Sequence, residues 1–417
     1  MSNNRTTTVL ESPPSRGKGA KAPPASSAKE GKPDRVDGFF TRLIAFFSSL
    51  RLTVVCLFLG MLLVFCGTIA QVELGLFKAQ NQFFRSFLVI WAPTGSWKII
   101  LPGGYLVGGF LLINLVTAHF TRFKWTRKKI GIWLAHIGVI MLLVGQLLTD
   151  LLSKETVLHL REGDTKNYSE TERNAELAVI DVTDPNFDAV VAVPENLLAQ
   201  RSDIRRSELP FMVRIKEFYA NSQVAERPTD SQEPPAASRD IGTRAVIREL
   251  PRVTDMDHRD VPSGVVEIIT PQGSIGTWLV SEYIDKGQSF TVGNRTFELA
   301  LRPTRHYKSA SFTLLKFSHD VYRGTDIPKN FSSRILLNRP DTGERREVLI
   351  YMNNPLRYQG ETYYQASLDP DDRGTVLQVV HNPSWLTPYF SCILVAAGLI
   401  VQFLTHLIGF ITKRITT

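Results

Sequence analysis

The chain has 417 residues, 43% of them hydrophobic and 21% charged, with a formal net charge of +8 and three cysteines. The charge is segregated: the segments through Arg51, 121–129 and 412–417 hold 16 Lys/Arg against four acids, whereas 152–385 holds 29 against 34. A basic excess confined to the flanks of apolar runs excludes a nucleic-acid-binding face and follows the positive-inside pattern of membrane proteins, and cysteines placed only inside apolar runs exclude CxxC thiol chemistry.

Residues 1–36 are rich in Ser, Pro, Lys, Arg and Gly, which cannot bury a core, and a disordered basic cytoplasmic tail is expected there. Residues 37–51, DGFFTRLIAFFSSLR, place Phe39, Phe40, Leu43, Ile44, Phe46 and Phe47 on one side at helical spacing, the pattern of an interfacial amphipathic helix. A first span is expected over 52–71, with Gly60 and Gly67 one heptad apart as a small-residue contact face. The loop 72–102 is short and extracytoplasmic; its NQFFRSFLVIW piece is too short to span and reads as interfacial. A second span over 103–121 carries Asn114, Thr117 and, at its far end, His119. The basic loop 122–129 follows on the cytoplasmic side.

The third span, 130–152, reads IGIWLAHIGVIMLLVGQLLTDLL. Gly131, Gly138 and Gly145 repeat by heptads and form one stripe at ~100° per residue. His136 lies roughly opposite that stripe. The glycine face is free to pack on a neighbouring helix while the imidazole faces elsewhere. Residues 153–385 read as a β-rich extracytoplasmic domain: alternating runs such as ELAVIDV, FMVRIKEF, GVVEII and ETYYQASL are separated by Pro/Gly/Asn/Asp turns. Antiparallel strands in a sandwich or distorted barrel are expected, with 221–261 as a long insertion loop. A fourth span over 386–411 holds Gly398, Gln402 and His406 at i, i+4 and i+8, and 412–417 is a cytoplasmic tail. The expected fold class is therefore an α-helical membrane protein. Four transmembrane helices carry a large antiparallel β-rich domain inserted between the third and fourth, and both termini are cytoplasmic.

Three spans place an imidazole toward the same leaflet. Ionisable groups inside spans face bundle interiors or cavities and mark pathways, and neutral imidazole is a good axial ligand for haem iron. His119 and His406 lie near the headgroups, where an interfacial imidazole needs no function. His136 lies ~9 Å into its helix, where the alternative to ligation is a helix–helix hydrogen bond. The remaining histidines, His159, His258, His306, His319 and His381, show no metal-ligand spacing. No GxSxG, phosphate-binding loop or dinucleotide fingerprint is present, so the sequence offers no catalytic motif.

Several stretches together resemble the ResB (CcsB) family of system II cytochrome c biogenesis. They are SSLRLTVVCL at 48–57, LPGGYLVG with NLVTAHFTRFK at 101–124, HIGVIMLLVG at 136–145, and YRGTDIPKNFSSRILL with YMNNPLRYQGETYYQASL in the β-rich region. The resemblance implies a subunit of the bacterial cytoplasmic membrane that works with a ResC/CcsA-type membrane protein. Haem b, in transit, is moved from the cytoplasmic side and presented for covalent attachment to apocytochrome c. A thioredoxin-like thiol reductant belongs to the same implied set of partners. It further implies that His136 is an axial ligand of the haem iron, with His119 and His406 as further candidates for holding it, and that the partner supplies a tryptophan-rich outer site. The six tryptophans here form no cluster, so this chain does not complete the reaction alone. Two alternatives remain open at this point. One is a non-catalytic scaffold or sensor that presents a β-rich domain. The other is a transporter subunit, which would show broken helices and more polar spans.

Overall fold

The computed structural model describes residues 35–92, 97–122, 126–228, 230, 232–253, 258–324, 328–369, 371 and 373–415. The expected tail through residue 34, and 123–125 of the basic loop, lie outside the described residues. Helix α1 (Arg35–Phe47) belongs up to Phe46 to a unit of its own and presents Phe39, Phe40, Ile44 and Phe46 as exposed side chains.

Among the described residues, four helices are long and apolar enough to cross a membrane. These are α2 (Leu50–Leu74), α4 (Gly104–Arg122), α5 (Ile130–Leu152) and α7 (Thr387–Ile415). The segment expected as one helix over 37–51 ends at Phe47, and a new helix starts at Leu50. Ser49 is extended and its hydroxyl accepts from the Arg51 amide at 3.2 Å, the usual satisfaction of a free helix-start N–H. Asn114 of α4, almost fully buried, braces the break. Its amide donates to Phe47 O at 2.6 Å and Ser49 O at 3.0 Å, while its Oδ1 accepts from Thr53 Oγ1 at 2.6 Å.

The 72–102 connection is more ordered than an interfacial loop. It contains a short helix, α3 (Leu76–Ala79), a π-turn over Gln80–Phe84, and the antiparallel pair β1 (Leu88–Trp91) and β2 (Ile99–Pro102). Phe83, Val89 and Trp91 are buried with Leu63, Cys66 and Ala70 of α2. The glycine stripe of α5 meets α7 as its spacing implies. A Cβ on Gly131 would stand 2.6 Å from Gln402 N, one on Gly138 2.6 Å from Val395 Cγ2, and one on Gly145 2.6 Å from Thr387 Cγ2. Backbone approaches that close are open only to glycine, and they are how spans associate without a hydrophobic driving force.

Between α5 and α7 in the chain lies an antiparallel β domain whose described residues form two large hydrophobic cores and a smaller one. The first is a sandwich. One layer contains β5 (Ala189–Pro194), β4 (Thr165–Asp181), β13 (Arg295–Val321) and β12 (Gln288–Val292), and the other runs β6 (Asp203–Ile204), β7 (Met212–Tyr219), β10 (Ser263–Thr270), β11 (Gly273–Ser281). Leu177, Val179, Val213, Ile268, Trp278, Phe297 and Leu299 fill it, and the short helix α6 (Glu195–Ala199) adds Leu198. The second core lies inside the curled remainder of the large sheet. That sheet continues through β3 (Lys154–Arg161) to β18 (Gly374–His381), β17 (Glu361–Leu368) and β16 (Leu356–Tyr358) on one side. On the other it continues to β14 (Pro328–Arg339) and β15 (Glu344–Tyr351). Leu158, Phe312, Leu314, Ile335, Tyr363 and Leu377 fill that core. β4 and β13 are long enough to serve both, so one curled sheet lines both cores, and of the two expected forms the sandwich is the one formed.

Two expectations are refined here. Part of the 221–261 stretch is a hairpin, β8 (Ser222–Glu226) with β9 (Ala245–Glu249), resting on Ala237, Val265 and Leu279. Its prolines fall outside the two strands, Pro228, Pro234 and Pro235 between them and Pro251 after β9. In RYQGETYY the turn residues are Gln359 and Gly360, with φ of 50° and 79°, between the paired Tyr358 and Glu361. Positive φ at both positions is the hairpin turn whose twist matches its strands, and Tyr363 beyond it is a core side chain, 4.8 Å from Phe312 between ring centroids.

Candidate functional site

α4 and α5 bring two of the three intramembrane histidines together at the end of the bundle that carries Arg122 and Arg127–Lys129. His119 is 2% exposed. Its ring centroid lies 3.8 Å from that of Trp133, at 71°, and 6.1 Å from that of His136, at 29°. Position near a helix exit suggests an interfacial His119; the structure instead turns it inward. The sequence carries no signal for this, because the cover comes from Trp133 on another helix.

His136 is half-buried, on the side of α5 away from Gly131, Gly138 and Gly145. Its Nδ1 lies 2.8 Å from Ile132 O, one turn back. A carbonyl only accepts, so Nδ1 donates and carries the proton, which leaves the lone pair of the neutral ring on Nε2. A ring oriented by a hydrogen bond from its other nitrogen is the arrangement that metal-ligating histidines use. On donor chemistry, His136 fits an axial ligand. His406 lies on α7, where Gln402 Nε2 is 2.7 Å from its Nε2. An amide that donates to that nitrogen engages the lone pair an iron would need. The structure thus groups His119 with His136 and Trp133, and pairs His406 with Gln402 on its own helix.

At the opposite end of α4 and α5 lies a polar cluster that sequence reasoning missed. Tyr105 at the start of α4 donates to Asp150 Oδ2, and Arg85 Nε of the 72–102 connection lies 2.7 Å from Asp150 Oδ1. The nearby Thr149 meets Ser384 at 2.9 Å and Asn382 at 3.3 Å. These contacts tie α5 to the start of α7, where the β domain begins and ends. Among the described residues, no group of three or more His, Cys, Asp or Glu side chains forms a metal cage.

Residues 270–374, within the β domain, match the model of the ResB-like family; the matched window does not include His119, His136 or His406. Protein NrfI of Wolinella succinogenes is 24% identical over 296 residues, 70% of this chain and 29% of that protein. The chain thus aligns with under a third of the length of the relative it matches. Together with the four apolar helices among the described residues, these matches support an assignment to the ResB-like family, to which the chain is similar over 270–374.

Proposed function

We propose that the chain acts in cytochrome c biogenesis as a haem-handling membrane subunit. Haem is its cargo, received from the cytoplasmic side and presented, with a ResC/CcsA-type partner, for attachment to apocytochrome c. One observation supports this above the others: an imidazole inside a span, off the glycine face that packs on α7, oriented by the bond from its Nδ1 to Ile132 O so that Nε2 is the ring atom that would meet a metal. His136 would hold the iron axially. His119 and Trp133 would form the wall beside it, and His406 would take part only on leaving Gln402. The positive charge at this end of the bundle suits the propionates of an incoming haem.

The test is His136→Ala in cells with the complex assembled. Ala is a good residue in an apolar helix, so the spans should insert at normal abundance. Haem co-purifying with the complex should fall several-fold and cytochrome c maturation with it, and added imidazole should restore part of both. Normal haem content, an unchanged absorption spectrum and normal maturation would reject the assignment. A helix-internal hydrogen bond would then be the whole role of His136, and the β domain on its anchors would read as a scaffold.

A further inference from the structure

The strand edges of the β domain are not alike. β15 carries Glu344, Arg345, Arg346 and Glu347 at its outer end, the charges that protect an edge from strand addition. β16 is three residues long, and β15 bridges to its approach through Tyr351 and Asn354. β11 is covered where Arg239 N donates to Thr277 O at 3.0 Å. β6 has two residues, and β12 turns Ser289 and Thr291 outward.

β5 has none of these protections. It pairs with β4 from Ala189 opposite Asp181 to Pro194 opposite Glu176, and among the described residues no strand lies on its other side. From Ala189 to Val193 the sequence is AVVAV, with no charge and no proline. Val191 and Val193 pack toward the sandwich core, while Val190 and Ala192 point the other way and are exposed. The connection before the strand holds Phe187, 65% exposed, beside a depression of about 430 Å³ lined by Asp181, Pro185, Ala189 and Arg295 among others.

We infer that this edge receives an extended segment of the unfolded client polypeptide as an added strand, an inference that rests on the cytochrome c biogenesis reading above. A row of unpaired N–H and C=O groups is matched by another extended backbone, so main-chain bonds supply hold without demanding a sequence. The valines and the depression beside Phe187 favour apolar side chains. A second copy of this chain fits the edge poorly for two reasons. Antiparallel self-pairing over AVVAV sets Asp188 of each copy opposite Pro194 of the other, which has no N–H to give to the ladder. A five-residue strand also buries only a few hundred Å², well below the roughly 1,200 Å² of a stable interface. Asp188, with Asp184 of the adjoining depression, attracts a segment with basic residues beside its apolar ones, and a small contact suits a client that must leave after it has been modified.

The experiment uses the full chain in lipid nanodiscs and a synthetic, unfolded peptide of ~20 residues that contains a CxxCH sequence with apolar and lysine residues around it. Peptide should slow amide exchange at 189–193. Val190→Lys together with Ala192→Lys places two cations on the exposed face and leaves the core-facing valines intact. It should weaken peptide binding at least tenfold, and unchanged exchange in β4 without peptide would show that the domain is still folded. Absence of protection at 189–193, or equal binding by the double variant, would overturn the inference. So would protection that grows with protein concentration alone, which would assign the edge to a second copy. The exchange measurement needs no haem, so the two readings fail separately. If His136→Ala behaves as expected and the edge is not protected, the edge proposal alone falls; if the edge is protected and His136→Ala changes nothing, the haem assignment alone falls.

Discussion

At Glu282 burial decides the behaviour of the charge more than pairing does. The Glu282 side chain is 5% exposed and lies 2.7 Å from Arg259 Nη1. Burial pushes its carboxyl up to about 7, with Arg259 pulling it back and Glu195 and Glu170 adding to the rise. The folded state therefore holds this proton more tightly than the unfolded chain, whose ordinary value is 4.5. The stabilisation is complete below the ordinary value and is lost as pH rises toward about 7, with a slope approaching ~1.4 kcal/mol per pH unit for one proton. Thermal unfolding of the β domain should accordingly shift to lower temperature across that window. Glu282→Gln should flatten the slope and raise the melting temperature above that of the native protein at pH values beyond ~8; a native slope in the variant would mean that other groups set it. Glu282 was not legible in the sequence, because nothing in SEYIDKG distinguishes a buried carboxylate from one in an open turn. His136 was legible in part, because the glycine heptads beside it fix the face it does not use. Asn114 was visible as a polar residue in a span, but its partners at 47, 49 and 53 belong to a helix break that the continuous amphipathic pattern of 37–51 concealed.

Pairs of elements carry the next set of consequences, and the pair α5 and α7 is the tightest in the bundle. Each glycine of the α5 stripe sits on α7 backbone or on a short side chain, and Gly398 returns the fit, since a Cβ there would come within 2.5 Å of Ala135 N. Gly138→Leu should force the helices apart, at the ~1–3 kcal/mol typical of overpacking or more, because Ser391 O and Val395 N are backbone atoms with nowhere to go. The expected outcome is a several-fold loss of protein from the membrane fraction and faster proteolysis of the β domain, whose first and last strands, β3 and β18, hang from these two helices. Val139→Leu, one residue away on an exposed face, is the control and should be near neutral. Equal abundance of the two variants would show that α5 and α7 are held by the β domain and not by the stripe. The heptad glycines made this packing readable in advance. The sheet was less so. Short alternating runs identify strands, but RPTRHYK breaks the alternation and hides that β13 is one strand from Arg295 to Val321. That polar stretch is where the strand leaves one core for the other, and the ladder with β4 shifts register at Pro303/Thr304 and Tyr307/Phe312. Register shifts of this kind are decided by which cores the strand must serve, and no local pattern encodes them.

At the scale of the whole molecule, the bundle has two chemically different ends. Gly131 lies against Gln402 and Gly145 against Thr387, so α5 and α7 run antiparallel. The start of α5 and the end of α7 therefore share an end with the close of α4, and that end carries Arg122, Arg127, Lys128, Lys129, Lys413 and Arg414 with no acid among them. The other end mixes signs, with Asp150 paired with Arg85 and accepting a hydrogen bond from Tyr105, and it bears the β domain. An uncompensated cation near a span resists transfer across the membrane, whereas acids count little. The basic end should thus be cytoplasmic and the β domain extracytoplasmic. Reporter tags near residue 20, at residue 126 and at the C-terminus should be protected in sealed right-side-out vesicles, while one near residue 230 should be accessible from outside. A tag at 126 that reads as external would overturn the orientation, and with it the entry side of haem, because His119 and His136 stand at that same end. It would not move the two rings apart. The distance of 6.1 Å between them comes from α4 packing on α5, and either orientation of the bundle preserves it.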